Sequence, residues 1–571
     1  MKGDVRSEFG PTWYSGVTAL PDARPALSFE LDVDVCVVGG GLAGLTVARE
    51  VARRGSSVAL LEARRIAWNA SGRNAGVVMP GFPARLDKIV ERVGLPAAKA
   101  LWGLSEAGVG HVRDTLAELR MVEEGHGWLD VSTTPDADAA LARLALLGQE
   151  FGAQVEGWPI ERVREVLKTR HYFHALHFPR AFHINPLAYA LALAAAAERA
   201  GAHIFEHTPA LAIDTAGVRK RVVTPKARLR AGRVVLAGNI HLGAVGRRLA
   251  DTLVPATAYA GVTRPLGRIL ARTIAFAGAV GYSRHAGHHY RIVGGDRLLW
   301  SGGTAFNRGG AGLKRRLEQA IHSIYPQLGP VAFESFWPGD IGFAVQHMPQ
   351  IGEVQPGVWL ASGLGGQGLN TSALAGHLIA RAIIEGDDTW RLFLPYELVW
   401  AGGRAGRTLF AATTWWSHQR ETLSARMARR REQLAERRLR AEAGLPAEPP
   451  HPAYHVVDAS AMERSAVERS AMSDPRAAAA SDRRAAATES AEPQPPTLPQ
   501  TPAQAQATAL ASEPPVQAEP APSVPVPQEQ TQAQAEPATA APETQEPAPP
   551  AVPAAEPRPT SEHRAADEPA R

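Results

Sequence analysis

The stretch Asp32–Arg64, DVDVCVVGGGLAGLTVAREVARRGSSVALLEAR, limits what this chain can fold into more than any other. Val33, Val35, Cys36, Val37 and Val38 form a short apolar run rich in β-branched side chains. Such a run marks a strand buried on both faces, as in a parallel sheet. Gly39, Gly41 and Gly44 follow at G-x-G-x-x-G spacing. The pattern predicts a helix from Leu42 to Arg54 with Leu45, Ala48 and Ala52 on one face, stopped by Gly55. A second strand, Val58 to Leu61, ends at Glu62.

In that order these parts bind a dinucleotide. Gly39 turns the chain out of the strand, Gly41 lets backbone approach a pyrophosphate, and Gly44 lets helix and strand pack closely. The N–H groups around Gly40, Leu42 and Ala43 open the helix, where its dipole favours phosphate. Glu62 lies 18 residues after Gly44 and can accept hydrogen bonds from both ribose hydroxyls, flanked by Ala63 and Arg64. An acid there favours FAD or NAD over NADP, whose 2′-phosphate it repels.

At 571 residues the chain has room for two or three domains. The single cysteine, Cys36, rules out a disulfide framework and reads as a small buried hydrophobe. MKGDVRSEFGPTWYSG has no apolar h-region, and no run of 18 apolar residues occurs. A cytoplasmic protein without a transmembrane segment is therefore expected. The net charge of +4 hides an asymmetry. Ala441–Arg571 carries 8 basic and 19 acidic residues, and the chain before it 53 and 38. A basic body thus precedes an acidic tail.

After Glu62 comes ARRIAWNASGRNAGVVMPGF. With the glycine turn before it, this segment resembles the D-amino-acid-oxidase-like family of FAD-dependent oxidoreductases, nearest its gamma-glutamylputrescine oxidase branch. The resemblance covers about residues 10–407. It implies that Ser71, Gly72, Arg73, Asn74, Ala75 and Gly76 run beside the flavin ring and ribityl chain. Some relatives carry a flavin-linking histidine in this loop. Arg73 and Asn74 stand here, so noncovalent FAD is expected.

The same resemblance orders the rest of the body. Asn185–Pro186 caps a helix that ends at Gly201, a strand His203 to Glu206 follows, and backbone near Pro209 and Ala210 is expected at the adenine side. A strand from Leu229 ends in the turn Ala237–Gly238, beside the dinucleotide. Val358 to Ala361 leads into a second glycine-rich turn. There Gly365, Gly366, Gln367, Gly368, Leu369 and Asn370 open a helix to Glu385, its N–H groups facing the flavin pyrimidine. Residues 253–340 read as a β-rich sheet laid over the flavin, with a hairpin turn at Gly294–Gly295–Asp296. Tyr259, Tyr290, Arg291 and Trp337 are its expected substrate-side residues, Tyr290 and Arg291 matching a tyrosine–arginine pair of the family.

The expected fold is α/β: a Rossmann-like FAD-binding domain with an inserted β-rich substrate domain, then a basic helix and a disordered C-terminal tail. Residues 1–30 form an arm packed by Trp13 and Tyr14. The FAD domain takes 31–83, 185–252 and 341–407. Residues 84–184 are read as mostly helical, 253–340 as the substrate sheet and 408–444 as the basic helix. Residues 445–571, rich in Pro, Ala, Gln and Glu, are too poor in large apolar side chains to build a core. His171, His174 and His177 recur at a step that can share one helical face, but no acidic or cysteine partner gives a metal-ligand pattern. No metal is expected.

The family oxidises a C–N bond by hydride transfer to flavin, and water then hydrolyses the imine. Amino-acid-oxidising relatives carry a carboxylate-clamping arginine in a segment like WAGLRP. Here WPGDIGF puts Ile341 at that place. Arginine is the residue suited to bidentate carboxylate binding. Its absence points to an amine, a polyamine conjugate or an N-alkylated compound, with Arg291 left for a distal carboxylate and oxygen or a carrier as electron acceptor. Two other classes remain open. One is a non-catalytic flavoprotein scaffold acting through the basic helix and tail; the helix can also meet an acidic membrane surface or a protein. The other is an RNA-modifying flavoenzyme, disfavoured because no RNA-binding module is evident.

Overall fold

The computed structural model describes residues 8–281, 288–305 and 310–442. The disordered-tail reading of 445–571 lies outside them.

Two mixed sheets organise these residues. At the centre of the first is β1 (Leu31–Val38). It runs parallel to β2 (Val58–Leu61) on one side, with Val37 opposite Leu60, and to β6 (Arg228–Leu236) on the other, with Val37 opposite Val235. Outside these lie β5 (His203–Phe205), parallel to β2, and β13 (Val358–Ser362), parallel to β6; β12 (Gln350–Gln355) is antiparallel at the edge. A short antiparallel pair, Ala212–Asp214 and Lys220–Val223, joins through β6 and makes eight strands. Three helices pack with this sheet: α1 (Leu42–Arg53), α3 (Pro186–Arg199) and α5 (Gly368–Glu385). Val35 and Val37 join the helix-side core, while Cys36 and Val38 join the opposite one around Phe205 and Leu242. Only Val35–Val38 is buried on both faces, which is why the apolar run is unbroken there and Asp34 precedes it. Burial also pushes the Cys36 thiol up to about 12, which makes it an inert packing residue.

The second sheet has nine strands. Six form a path β11 (Phe333–Ala344), β7 (Leu253–Thr263), β10 (Arg297–Ala305), β9 (His289–Val293), β8 (Ala279–Gly281) and β3 (Gly125–Val131). β4 (Ala175–His183) and the pair Val77–Val78 continue it, and Glu156–Trp158 adds to β4. The expected hairpin joins β9 to β10 through Gly294 and Gly295. One sheet face packs on the core that holds α1, α3 and α5, and the other on α4 (Gly310–Ile324) through Leu317 and Ile321, with Tyr325 just after it.

Residues 84–184, read as mostly helical, combine helices, among them Ala137–Ala145 and Ile160–Leu167, with strands of this sheet. α2 (Leu86–Glu118) is helical, but β3, β4 and Glu156–Trp158 are sheet. HYFHALHF, whose three-residue histidine step can share one helical face, ends in β4 instead, and its aromatic side chains favour a pleated surface. His177 sits in β4, with Nδ1 3.0 Å from Glu156 Oε2, and His171 lies in the preceding loop. The basic helix α6 (Gly403–Glu442) also starts earlier than expected, within the segment assigned to the body.

Candidate active site

The β1–α1 turn forms because two positions lack a Cβ. Gly39 has φ +116°, and a Cβ there would lie 2.8 Å from the backbone of Ala237 and Gly238. One on Gly44 would fall onto the carbonyl oxygen of Gly39. The strand therefore turns straight into α1, with the Ala237–Gly238 turn pressed against it. The Ala237 N–H donates to Val38 O at 2.8 Å. Gly41 is the N-cap of α1 and supplies no side-chain cap. The Leu42 N–H is met instead by Ser71 Oγ at 3.0 Å, which ties the 71–76 loop to the helix N-terminus.

Glu62 is buried at the end of β2. Its Oε2 accepts from the Gly40 N–H at 2.7 Å and its Oε1 from the Arg64 N–H at 2.8 Å. Burial raises its pKa, opposed by those N–H donors. Ala210 packs on the core behind β1, beside the Glu206–Thr208 bend. Glu206, fully buried, accepts from Arg65 Nε at 3.0 Å and from the Ile66 N–H at 2.7 Å.

Carbonyls of the 73–76 loop are each held from elsewhere in the chain. Trp337 Nε1 donates to Arg73 O at 2.9 Å, the Tyr14 hydroxyl to Asn74 O at 2.9 Å, Arg291 Nε to Ala75 O at 2.8 Å, and the Ile184 N–H to Gly76 O at 2.8 Å. Asn74 braces the loop internally, accepting from the Gly76 N–H and donating to Ala70 O and Ser71 O. Arg73 donates to Phe9 O and Pro338 O. The second glycine turn lies at the start of α5, where Gln367 gives no side-chain cap and Asn370 Nδ2 donates to Gly81 O at 3.2 Å. Leu369 and Asn370 are buried, whereas a side chain at Gly366 or Gly368 would meet open space.

Comparison with known proteins decides what this geometry belongs to. Residues 34–382 match the family described as FAD dependent oxidoreductase. The chain belongs to this family. Gamma-glutamylputrescine oxidoreductase of Escherichia coli is 29% identical over 395 residues, 68% of this chain and 92% of that protein. A probable oxidoreductase, OrdL, of Haemophilus influenzae is 26% identical over 378 residues, 65% of this chain and 87% of that protein. Among solved structures, glycine oxidase from Geobacillus kaustophilus superposes with a TM-score of 0.55 at 22% identity, over 65% of this chain and 99% of that one.

The residues of this FAD-dependent oxidoreductase fit its cofactor. Two helix N-termini open at glycine turns whose N-cap residues give no side-chain cap, and two polar atoms in the expected cofactor segments, Arg73 Nε and Gln367 Oε1, are buried without a hydrogen-bond partner.

On the substrate side the placements differ from expectation. Trp337 and Gly339 face the 70–76 loop; a Cβ on Gly339 would stand 3.6 Å from Arg73 Cβ. Ile341, two residues further along β11, shares that face by the strand repeat. Tyr290 and Tyr259 do not. Tyr290 stacks on Trp300 at 4.4 Å, and its hydroxyl lies 2.6 Å from that of Tyr325, in the core against α4. Tyr259 stacks on Phe336 at 5.5 Å on the same far side. Strand alternation separates Tyr290 from Arg291 and moves both tyrosines off the expected substrate side.

Arg291 is also not free for a distal carboxylate. It is 1% exposed. Besides Ala75 O, it reaches Glu124 Oε2 at 2.7 Å, His183 Nδ1 at 2.9 Å and Ile184 O at 2.9 Å. His183 Nε2 lies 3.1 Å from Ala277 O, which can only accept, so the proton sits on Nε2 and Nδ1 receives Arg291. Burial and the Arg291 cation push the His183 pKa down to about 3. Sequence reading placed Tyr14 in a packing arm and gave His183 and Glu124 no role. Nothing local marks these three, because their shared partner lies more than a hundred residues from each.

Proposed function

We propose that the protein oxidises a C–N bond of an amine or amino-acid-like small molecule, with FAD held noncovalently and oxygen or a carrier as final acceptor. Bound FAD supplies the hydride acceptor. The N-terminus of α1 and the Ala237–Gly238 turn hold the pyrophosphate side. Glu62 uses one lone pair of each oxygen on Gly40 and Arg64 and keeps the others for ribose hydroxyls. The 71–76 loop flanks the ring, and the N-terminus of α5 directs N–H groups to where negative charge develops. Loop position is set from outside by Trp337, Tyr14 and Arg291. Among the substrate-side residues, Trp337 and Ile341 provide an apolar wall that excludes water from the reacting carbon.

The observation that carries the substrate class is Ile341, apolar on the face that β11 turns to the flavin loop. The relative acting on gamma-glutamylputrescine supports an amine end, and the lack of a clamp there supports an amine without an α-carboxylate. A lost bidentate arginine forfeits about 1.5–3 kcal/mol for each charge-assisted hydrogen bond. Anaerobic bleaching of the flavin across a panel of amines and amino acids tests this. Amines lacking an α-carboxylate should reduce it faster than glycine or alanine, and Ile341→Arg should reverse the order. Faster bleaching by glycine in the unaltered protein sinks the amine reading. Flavin that stays with acid-precipitated protein sinks the noncovalent one.

A further inference from the structure

The last described helix, α6, carries an apolar stripe on its outer face. Leu409, Trp416, Leu423, Met427 and Leu434 follow one another at steps of seven, seven, four and seven residues. At 100° per residue they fall within about 40° of arc. They are 67%, 60%, 57%, 48% and 48% exposed. The opposite face is the one that meets the body. Ala425 is buried, Glu432 pairs with Arg164 at 2.8 Å, and Phe410 packs on Phe343 and His347 at ring distances of 6.3 and 5.5 Å. A surface helix ordinarily turns its apolar stripe inward. This one turns it out.

The stripe has charged borders. Arg426, Arg430 and Arg437 run along one side, and Arg420, Arg431 and Arg438 along the other, all exposed. Glu432 faces inward onto Arg164.

We propose that this outer face docks on an anionic lipid bilayer surface. The charge pattern selects that occupant. A bilayer interface takes leucine, methionine and tryptophan into its acyl boundary while arginines on both flanks reach lipid phosphates. A second copy, stripe to stripe, would press two sets of six arginines together. The chain beyond α6 is acidic, but apart from Asp567–Glu568 its acids are scattered singly among Pro, Ala and Gln, with few large apolar side chains to cover the five of the stripe. The attachment is peripheral: among the described residues no helix is long and apolar enough to cross a membrane.

Flotation of the full-length protein with vesicles tests the proposal. One set is phosphatidylcholine alone, the other contains a quarter phosphatidylglycerol, each at low and high salt. The protein should float with the anionic vesicles at low salt, and at least tenfold less with neutral vesicles or at high salt. Leu423→Ser with Leu434→Ser, and separately Arg430→Ser with Arg437→Ser, should each raise the apparent Kd at least tenfold. Both pairs should keep the unaltered flavin content and unfolding temperature; if the serine pair unfolds the helix, the arginine pair still decides. Failure of the unaltered protein to float overturns the proposal, as does unchanged binding by both pairs. A dimer in solution that the Leu→Ser pair dissociates overturns it in favour of a second copy. Flotation that appears only when the chain is ended after Glu442 overturns it in favour of the acidic segment.

Discussion

Gly39 and Gly44 shape the β1–α1 turn by leaving room for neighbouring backbone, whereas the carbonyls of Arg73 to Gly76 are held by donors reaching in from Trp337, Tyr14, Arg291 and Ile184. In the proposed function both regions belong to one cofactor site. The turn is local: everything that shapes it lies within one strand–helix unit and the turn that follows β6. The loop is a junction of four chain segments, and its main support is a buried cation. The turn should therefore fail by steric clash with little sensitivity to pH, and the loop by loss of partners with strong sensitivity to acid.

The largest effect should come from Arg291→Met. It leaves Glu124 without its cation and the carbonyls of Ala75 and Ile184 without a donor. Glu124, 40% exposed, falls back on water, so the cost comes from the two carbonyls, at about 1–3 kcal/mol each. Chemical denaturation should show that loss, and Arg291→Lys should recover little of it, because an ammonium cannot span acceptors that a planar fork reaches. A midpoint within experimental error of the unaltered protein would remove Arg291 as the loop's support.

Gly44→Ala comes next. The new methyl falls on the Gly39 carbonyl and forces α1 off β1, at a cost of about 1–3 kcal/mol of overpacking. The ratio of flavin to protein absorbance should fall sharply, more than the loss of stability alone accounts for. If Gly44→Ala keeps full flavin content, the close approach of helix and strand is not what fits the turn to its cofactor.

These two substitutions also show what was legible in the sequence. Gly44 could be read because glycine spacing, an apolar run and an acid at the end of β2 are all local patterns, and the same holds for β13, the second glycine turn and the Gly294–Gly295 hairpin. Arg291 was noticed but given the wrong role, because a strand sequence does not say which residue across the sheet answers a guanidinium. Tyr259 and Tyr290 failed for a related reason. Their side of the sheet depends on register with β10 and β11, and on the bulge at Ala258–Tyr259. The histidine segment shows the limit of spacing alone: a three-residue step that can share a helix face ends in β4.

Acid should separate the two regions further. His183 is held to about 3 by burial and by Arg291, and His289, on the same strand as Arg291, to about 4 by burial. Unfolded histidine titrates near 6.5. Between pH 6.5 and 4 the unfolded chain takes up protons at these positions that the folded chain does not. Stability is thus full above pH 6.5 and falls as pH drops, by about 1.4 kcal/mol per pH unit for each such histidine. His183→Gln should flatten the decline in denaturation midpoint between pH 7 and 5 while lowering its value at pH 7. An equal slope in both proteins would mean that His183 is protonated in the fold, and the tautomer assigned to it would be wrong.

The smallest change asks whether the N-terminal arm belongs to the site. Tyr14 is 1% exposed and packs edge-on to Trp337 at 5.7 Å, so Tyr14→Phe keeps the ring and its packing. What it removes is one donor, at 2.9 Å from Asn74 O, and one distant acceptor, at 3.4 Å from Arg291 Nη2. Burial holds the hydroxyl pKa above its usual value, so it stays a protonated donor through the physiological range. A single neutral hydrogen bond contributes about 1 kcal/mol net. Thermal unfolding should therefore move by a few degrees at most. The sharper readout is the visible absorption of the bound flavin, which responds to polar groups beside the ring. If Tyr14 positions the loop, the spectrum should shift and FAD affinity should weaken severalfold, although the substituted atom belongs to an arm that precedes β1. If only the unfolding temperature moves, the arm packs the body without shaping the site, and Trp337 and Arg291 hold the loop by themselves.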